Sequence, residues 1–118
     1  VEELVASKYQ RSALMRSLFD AAISAGNTYL LGGLQWRLAG ENVIREYDLG
    51  VRYLRVRNIA GMQIKDADNQ VTYATKAEIE TLADQHAAWG VEQWVNLGQK
   101  LGQIAASTTI AEVNAVNW

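Results

Sequence analysis

The chain has 118 residues, a formal net charge of −2, one histidine, and neither cysteine nor proline. That length supports a hydrophobic core without covalent staples. The composition excludes disulfides, thiolate nucleophiles, Cys-based metal sites and multi-His metal sites within the chain, and the slight acidity gives no general pull toward nucleic acid or an anionic membrane. No apolar run approaches the roughly 18 residues of a membrane span, and the lack of proline suits helices and tight hairpins better than a loop-rich domain.

Taken in order, Glu2 to Ala25 reads as a first helix, with Leu4, Tyr9, Met15, Leu18, Phe19 and Ala22 toward the core and Lys8, Arg11 and Arg16 in water. Gly26-Asn27 supplies its stop, since both residues tolerate the left-handed conformation. Residues 28–38 read as a hairpin: two short apolar and aromatic runs flank Gly32-Gly33, and both glycines can take the positive φ of a tight turn. A helix through two adjacent glycines would cost about 2 kcal/mol. Glu41 to Arg57 reads as a second helix on Val43, Ile44, Tyr47, Val51 and Leu54, although the alternation from Val51 to Arg57 also permits a strand. Residues 62–73 alternate again around Asp66-Ala67-Asp68-Asn69 and read as a second hairpin.

The dominant element is predicted from Thr75 to Ser107. Thr75-Lys76-Ala77-Glu78 is a capping box. Ile79, Leu82, Ala83, His86, Ala87, Gly90, Trp94, Leu97, Leu101 and Ile104 follow on one side at helical spacing. Such a helix runs about 48 Å against about 35 Å for a compact domain of this size, so it is expected to overhang or to bend near Gly90 or Gly98. Thr109-Ile110-Ala111-Glu112 repeats the capping pattern and starts a short helix, Ile110 to Val116. The resulting expectation is one α+β domain over 1–118, with long helices packed on a small antiparallel sheet of two β-hairpins.

Residues with chemical potential have structural explanations. His86 lies within the apolar stripe, and Asp84 and Glu80 point elsewhere on the helical wheel, so a packed, hydrogen-bonded histidine is expected. Asp66, Asp68 and Asn69 begin like a calcium loop but lack the glycine and distal glutamate of one. Arg37, Arg45, Arg52, Arg55 and Arg57 bunch within twenty-one residues with Glu41, Glu46 and Asp48 nearby; helical spacing spreads those of the second helix around its polar side, and Arg45 or Arg52 can pair with Glu41 or Asp48. A phosphate-tracking surface would want them on one face. Glu2, Glu3, Asp20, Glu78 and Glu80 sit where helix dipoles or solvent accept them, and nothing arranges them as opposed glycosidase carboxylates. No catalytic, cofactor or metal site is therefore expected. Trp36 and Trp94 fit the core pattern, whereas Trp89, at the stripe's edge, and Trp118, at the end, are candidate anchors for a partner. On the long helix Val91, Val95, Gly98 and Gly102 form a second strip, about 100° from the core stripe. A glycine pair four apart there lets another backbone approach closely.

From Ser24 onward the residues resemble an uncharacterised phage and prophage domain found in tail and tail-fibre proteins. The resemblance is carried by Ala25-Gly26, Tyr29, Gly32-Gly33 and Trp36, then Ile64 through Val71, Thr75 through Ile79 with Leu82, and Ile104 with Thr108 through Val113. Val116-Asn117-Trp118 looks like the family's usual ending. The chain differs from it at Asp20 to Ser24, where members carry a basic run, and at Met62 and Ile64, where they carry an aromatic. The resemblance implies a non-enzymatic structural component of a phage tail or tail fibre, found in the virion and in host cytoplasm during assembly. Its partners would be other phage tail proteins and copies of itself, as a homo-oligomer and by family context a trimer, with no nucleic acid and no membrane insertion. Val91, Val95, Gly98, Gly102, Trp89 and Trp118 are the expected interface. A transient assembly chaperone or adaptor is the second reading and a small cell-wall hydrolase the third.

Overall fold

A computed structural model describes residues 1–40 and 42–118, with the backbone alone for Ile44. Its elements run α1 (Glu2–Ala25), β1 (Asn27–Leu31), β2 (Leu34–Leu38), α2 (Val43–Arg57), β3 (Gly61–Lys65), β4 (Val71–Thr75), α3 (Lys76–Ala106) and α4 (Ile110–Ala115). The architecture is α+β, and each hairpin forms its own two-stranded antiparallel sheet. The expected helix start at Glu41, and its pairing with Arg45, lie outside the described residues. By its internal contacts the chain divides into two compact units, Ser24–Gly90 and Val1–Ile23 with Val91–Trp118. No linker marks the division, and α1 and α3 both continue through it.

In the Ser24–Gly90 unit, β1 and β2 pair from Asn27↔Leu38 to Leu31↔Leu34. Gly32 and Gly33, at φ 63° and 77°, make the mirror-image turn that matches the strands' twist. Trp36 is buried on the inner face, and its indole N–H donates to the Leu31 carbonyl at 3.0 Å. In the second hairpin the Asp66 carboxylate organises the loop. Its Oδ1 accepts from the backbone N–H of Asp68 and Gln70, and its Oδ2 accepts from the Thr72 hydroxyl. Asn69 takes the left-handed position at φ 62°, so this acidic turn is a self-satisfied loop. The Ala67 N–H also donates to the Gln35 carbonyl at 2.9 Å, tying the second turn to β2. Residues 51–57 are helical, because Val51 and Leu54 are both buried while Tyr53 and Arg55 are exposed. Period two would have grouped Val51 with Tyr53 and Arg55.

The Thr75–Glu78 capping box is present in full. The Glu78 N–H donates to Thr75 Oγ1 at 3.2 Å, and the Thr75 N–H donates to Glu78 Oε1 at 3.0 Å. It fixes the exit of β4 into α3. Ile79 and Leu82 of α3 then close a core with Trp36, Leu38, Val51, Leu54 and Ala74, flanked by Tyr29, Leu31, Val43, Tyr47 and Ile64.

The other unit is helical. Met15, Leu97, Ile104, Val113 and Val116 form its core, with Leu4, Leu18, Phe19, Leu101 and Trp118 packed around it. Phe19 meets Trp94 edge-on and Lys8 donates to the Ala105 carbonyl. Moving back along α1 thus moves forward along α3, and the two helices are antiparallel. The Thr109 hydroxyl caps α4 by accepting from the Glu112 N–H, but Glu112 returns its bond to the Thr108 N–H rather than to Thr109. Arg11, expected in water, closes the far end of α4. Its Nε donates to the Val116 carbonyl at 2.8 Å, and its Nη2 donates to the Asn114 carbonyl and to Asn117 Oδ1. A cation at a helix C-terminus meets the carbonyls left without intrahelical donors. Lys8, likewise expected in water, is half-buried. Two further expectations are corrected: Tyr9 and Trp94, both assigned to the core, are exposed. Tyr9 lies about 120° round α1 from Met15, and Trp94 about 60° round α3 from Leu97, toward solvent.

Candidate interaction surface

The expected interface residues divide between the two units. In the helical unit, Val91 is 61% exposed, Trp94 65% and Val95 50%. Gly98 and Gly102 follow one and two turns on, and a Cβ built on either would meet open space. The α3 residues Leu97, Leu101 and Ile104 point to the core that it shares with α1 and α4. Trp94 therefore belongs to the strip and not to the core, and it is the one member that sequence reasoning misplaced. Its phase gave little warning: on the wheel it lies about 20° from Leu101 and about 60° from Val91. Trp118 is half-buried, packed in the cluster and edge-on to Phe19, so most of its surface is engaged within the unit.

Trp89 belongs to the Ser24–Gly90 unit, where it stacks on the His86 imidazole at a centroid distance of 5.1 Å and 16° between planes. His86 is buried and its Nδ1 lies 2.7 Å from the Tyr29 hydroxyl. With the proton on Nε2 the Tyr29 hydroxyl donates to Nδ1, and with the proton on Nδ1 the ring donates to the hydroxyl. Burial pushes the His86 pKa below its ordinary value, since the charged form loses hydration. The ring thus links α3 to β1 as packing and hydrogen bonding together, the arrangement expected of it.

Two of the arginines in this unit pair with carboxylates, and Arg37 donates instead to the Ala25 carbonyl at 2.8 Å. Arg55 donates through Nε and Nη2 to Glu80 Oε1 at 3.1 and 2.9 Å, and Arg52 pairs with Asp48 at 3.3 Å. Asp48, Arg55, Glu80 and Asp84 line a small polar hollow with Val51 and Ala83. No group of three or more metal-capable side chains occurs among the described residues, and no described helix is long and apolar enough to cross a membrane. Every buried side-chain nitrogen and oxygen among the described residues has a hydrogen-bond partner.

The fold class is thus α+β, with an apolar face on the second half of its longest helix. No protein-family model matches the chain, and neither the curated proteins nor the solved structures provide a match.

Proposed function

We propose that the chain is a non-enzymatic structural component of a phage tail or tail fibre that works through protein–protein contact. The observation that carries the contact is the grouping of exposed Val91, Trp94 and Val95 beside Gly98 and Gly102 on one face of α3. Large apolar side chains grouped in water favour association, and two glycines one turn apart let a second backbone come close. The tail assignment rests on the resemblance in the caps, turns and aromatics from Ser24 onward. The proposed partners are copies of the same chain, as a trimer, and other tail proteins. The proposed locations are the virion and, during assembly, the host cytoplasm.

Val95→Glu places a charge in this face without touching the buried cluster, so it should abolish assembly while leaving the circular dichroism of the folded chain intact and removing the concentration dependence of its melting midpoint. Light scattering should give an oligomeric wild type and a monomeric variant. A monomeric wild type, or a variant that assembles unchanged, would remove the interface. Mass spectrometry of purified virions tests the setting. Absence of the chain there, with recovery alongside unassembled fibre protein, would replace the structural role by that of an assembly chaperone or adaptor.

A further inference from the structure

We infer a second contact between copies of the chain, on the outward face of α2, independent of the α3 face. The core side of α2 is Val51 and Leu54. On the opposite side Leu49, Tyr53 and Val56 are each more than half exposed. Their spacing of four and then three makes a continuous ridge along the helix.

The charges beside this ridge identify its occupant. Along one flank run Glu46 in the first turn and Arg57 in the last, both exposed. They lie three turns apart, about 16 Å along the axis, too far to pair within one helix. A flank that reads acid, apolar, base along the chain complements itself when a second copy is laid antiparallel. Leu49 of each copy then faces Val56 of the other, the two Tyr53 rings meet near the two-fold axis, and Glu46 of each faces Arg57 of the other at both ends. On the other flank Arg52 would approach its own counterpart, but Asp48 holds it at 3.3 Å, which offsets the repulsion. Such an isologous arrangement is the usual geometry of dimers. Three side chains are a small patch against the roughly 800 Å² per partner of a stable interface, so this contact is weak and appears as concentration-dependent association.

The full chain is tested in the Val95→Glu background, which separates this contact from the α3 face. Sedimentation velocity over a concentration series should show a monomer–dimer equilibrium that Val56→Glu abolishes. Glu46→Arg and Arg57→Glu singly should each weaken it roughly tenfold, and the double exchange should restore it. Rescue of that kind requires the two positions to meet across copies. Because the chain has no cysteine, a mixture of Leu49→Cys and Val56→Cys chains gives an independent reading. These should cross-link to each other in preference to Val56→Cys with itself. No concentration dependence, a double exchange weaker than either single, preferential self-cross-linking of Val56→Cys, or binding of anionic vesicles by monomer in place of dimerisation would each overturn the inference.

Discussion

Arg11→Met tests whether one side chain of α1 holds the C-terminal segment in place. Methionine keeps an unbranched apolar stem and removes the guanidinium. The substitution deletes the bond from Nε to the Val116 carbonyl at 2.8 Å, which is partly buried, and the Nη2 bonds to the Asn114 carbonyl and Asn117 Oδ1, which are exposed. A hydrogen bond to a charged group contributes about 1.5–3 kcal/mol, and exposed ones contribute much less because water replaces them. The partly buried bond dominates, so a loss of about 2 kcal/mol is expected. For a chain of this size that lowers the melting midpoint by about 10 °C. Urea titration followed by tryptophan fluorescence measures the loss, and amide exchange locates it. The Val116 N–H, bonded to the Val113 carbonyl at 3.2 Å, should exchange faster along with the rest of α4. Lys8→Met, which removes only an exposed bond to the Ala105 carbonyl, should change stability by less than about 0.5 kcal/mol. Equal midpoints and equal Val116 protection in Arg11→Met and wild type would refute the clasp.

Three further outcomes are expected. Thr75→Ala removes the acceptor for the Glu78 N–H and should cost about 1 kcal/mol in denaturant titrations; an unchanged midpoint would show the cap to be redundant. In the Val95→Glu background, Trp94→Ala, at a position 65% exposed, should cost about 1 kcal/mol or less, chiefly the edge contact with Phe19, where a buried tryptophan would cost about 3–5 kcal/mol. His86 has its pKa lowered by burial, so the unfolded chain binds the proton first. The neutral imidazole's contribution is complete above the unfolded value of about 6.5 and declines as pH falls through it toward the folded value. Stability curves from pH 8 to 5 should show this slope in wild type and lose it in His86→Phe.

What the sequence disclosed best was local. The Thr75–Glu78 box, the Gly32-Gly33 turn and the Asp66 loop are each settled by side chains within a few residues of one another, and each forms as its residue types require. Two aromatic assignments failed. Tyr9 is large and apolar enough to suggest the core, yet sits off the stripe on the helical wheel; Trp94 lies at the stripe's edge, about 20° beyond Leu101, and is exposed all the same. Arg11 failed the other way: it falls on the α1 stripe four residues before Met15, but its charge suggested solvent. Its partners, the carbonyls at the end of α4, lie a hundred residues downstream, and no local pattern announces them. The division into two units was also invisible, since the boundary falls inside α1 and α3 with no change in composition. The candidate face was legible in part. Val91, Val95, Gly98 and Gly102 separate from the core stripe by phase alone, whereas Trp94 completes the surface only once its exposure is known.

The length of α3 bears differently on association than a single compact domain would suggest. A helix longer than its domain ought to leave apolar surface bare simply by overhanging. Here the second half of α3 has its own cluster: Leu97, Leu101 and Ile104 pack with Met15 of α1 and Val113 of α4. Length therefore exposes nothing by itself. Exposure comes from residue choice at positions that the cluster does not reach. Glu92 and Gln99 show that polar residues are accommodated on the exposed side of the same segment. Val91, Trp94 and Val95 occupy neighbouring exposed positions where a solvated helix would carry lysine or glutamate at no cost to packing. The apolar face is thus encoded residue by residue. That is why one charge at Val95 is the decisive perturbation, and shortening the helix, which would also dismantle the Leu97–Ile104 cluster, is not.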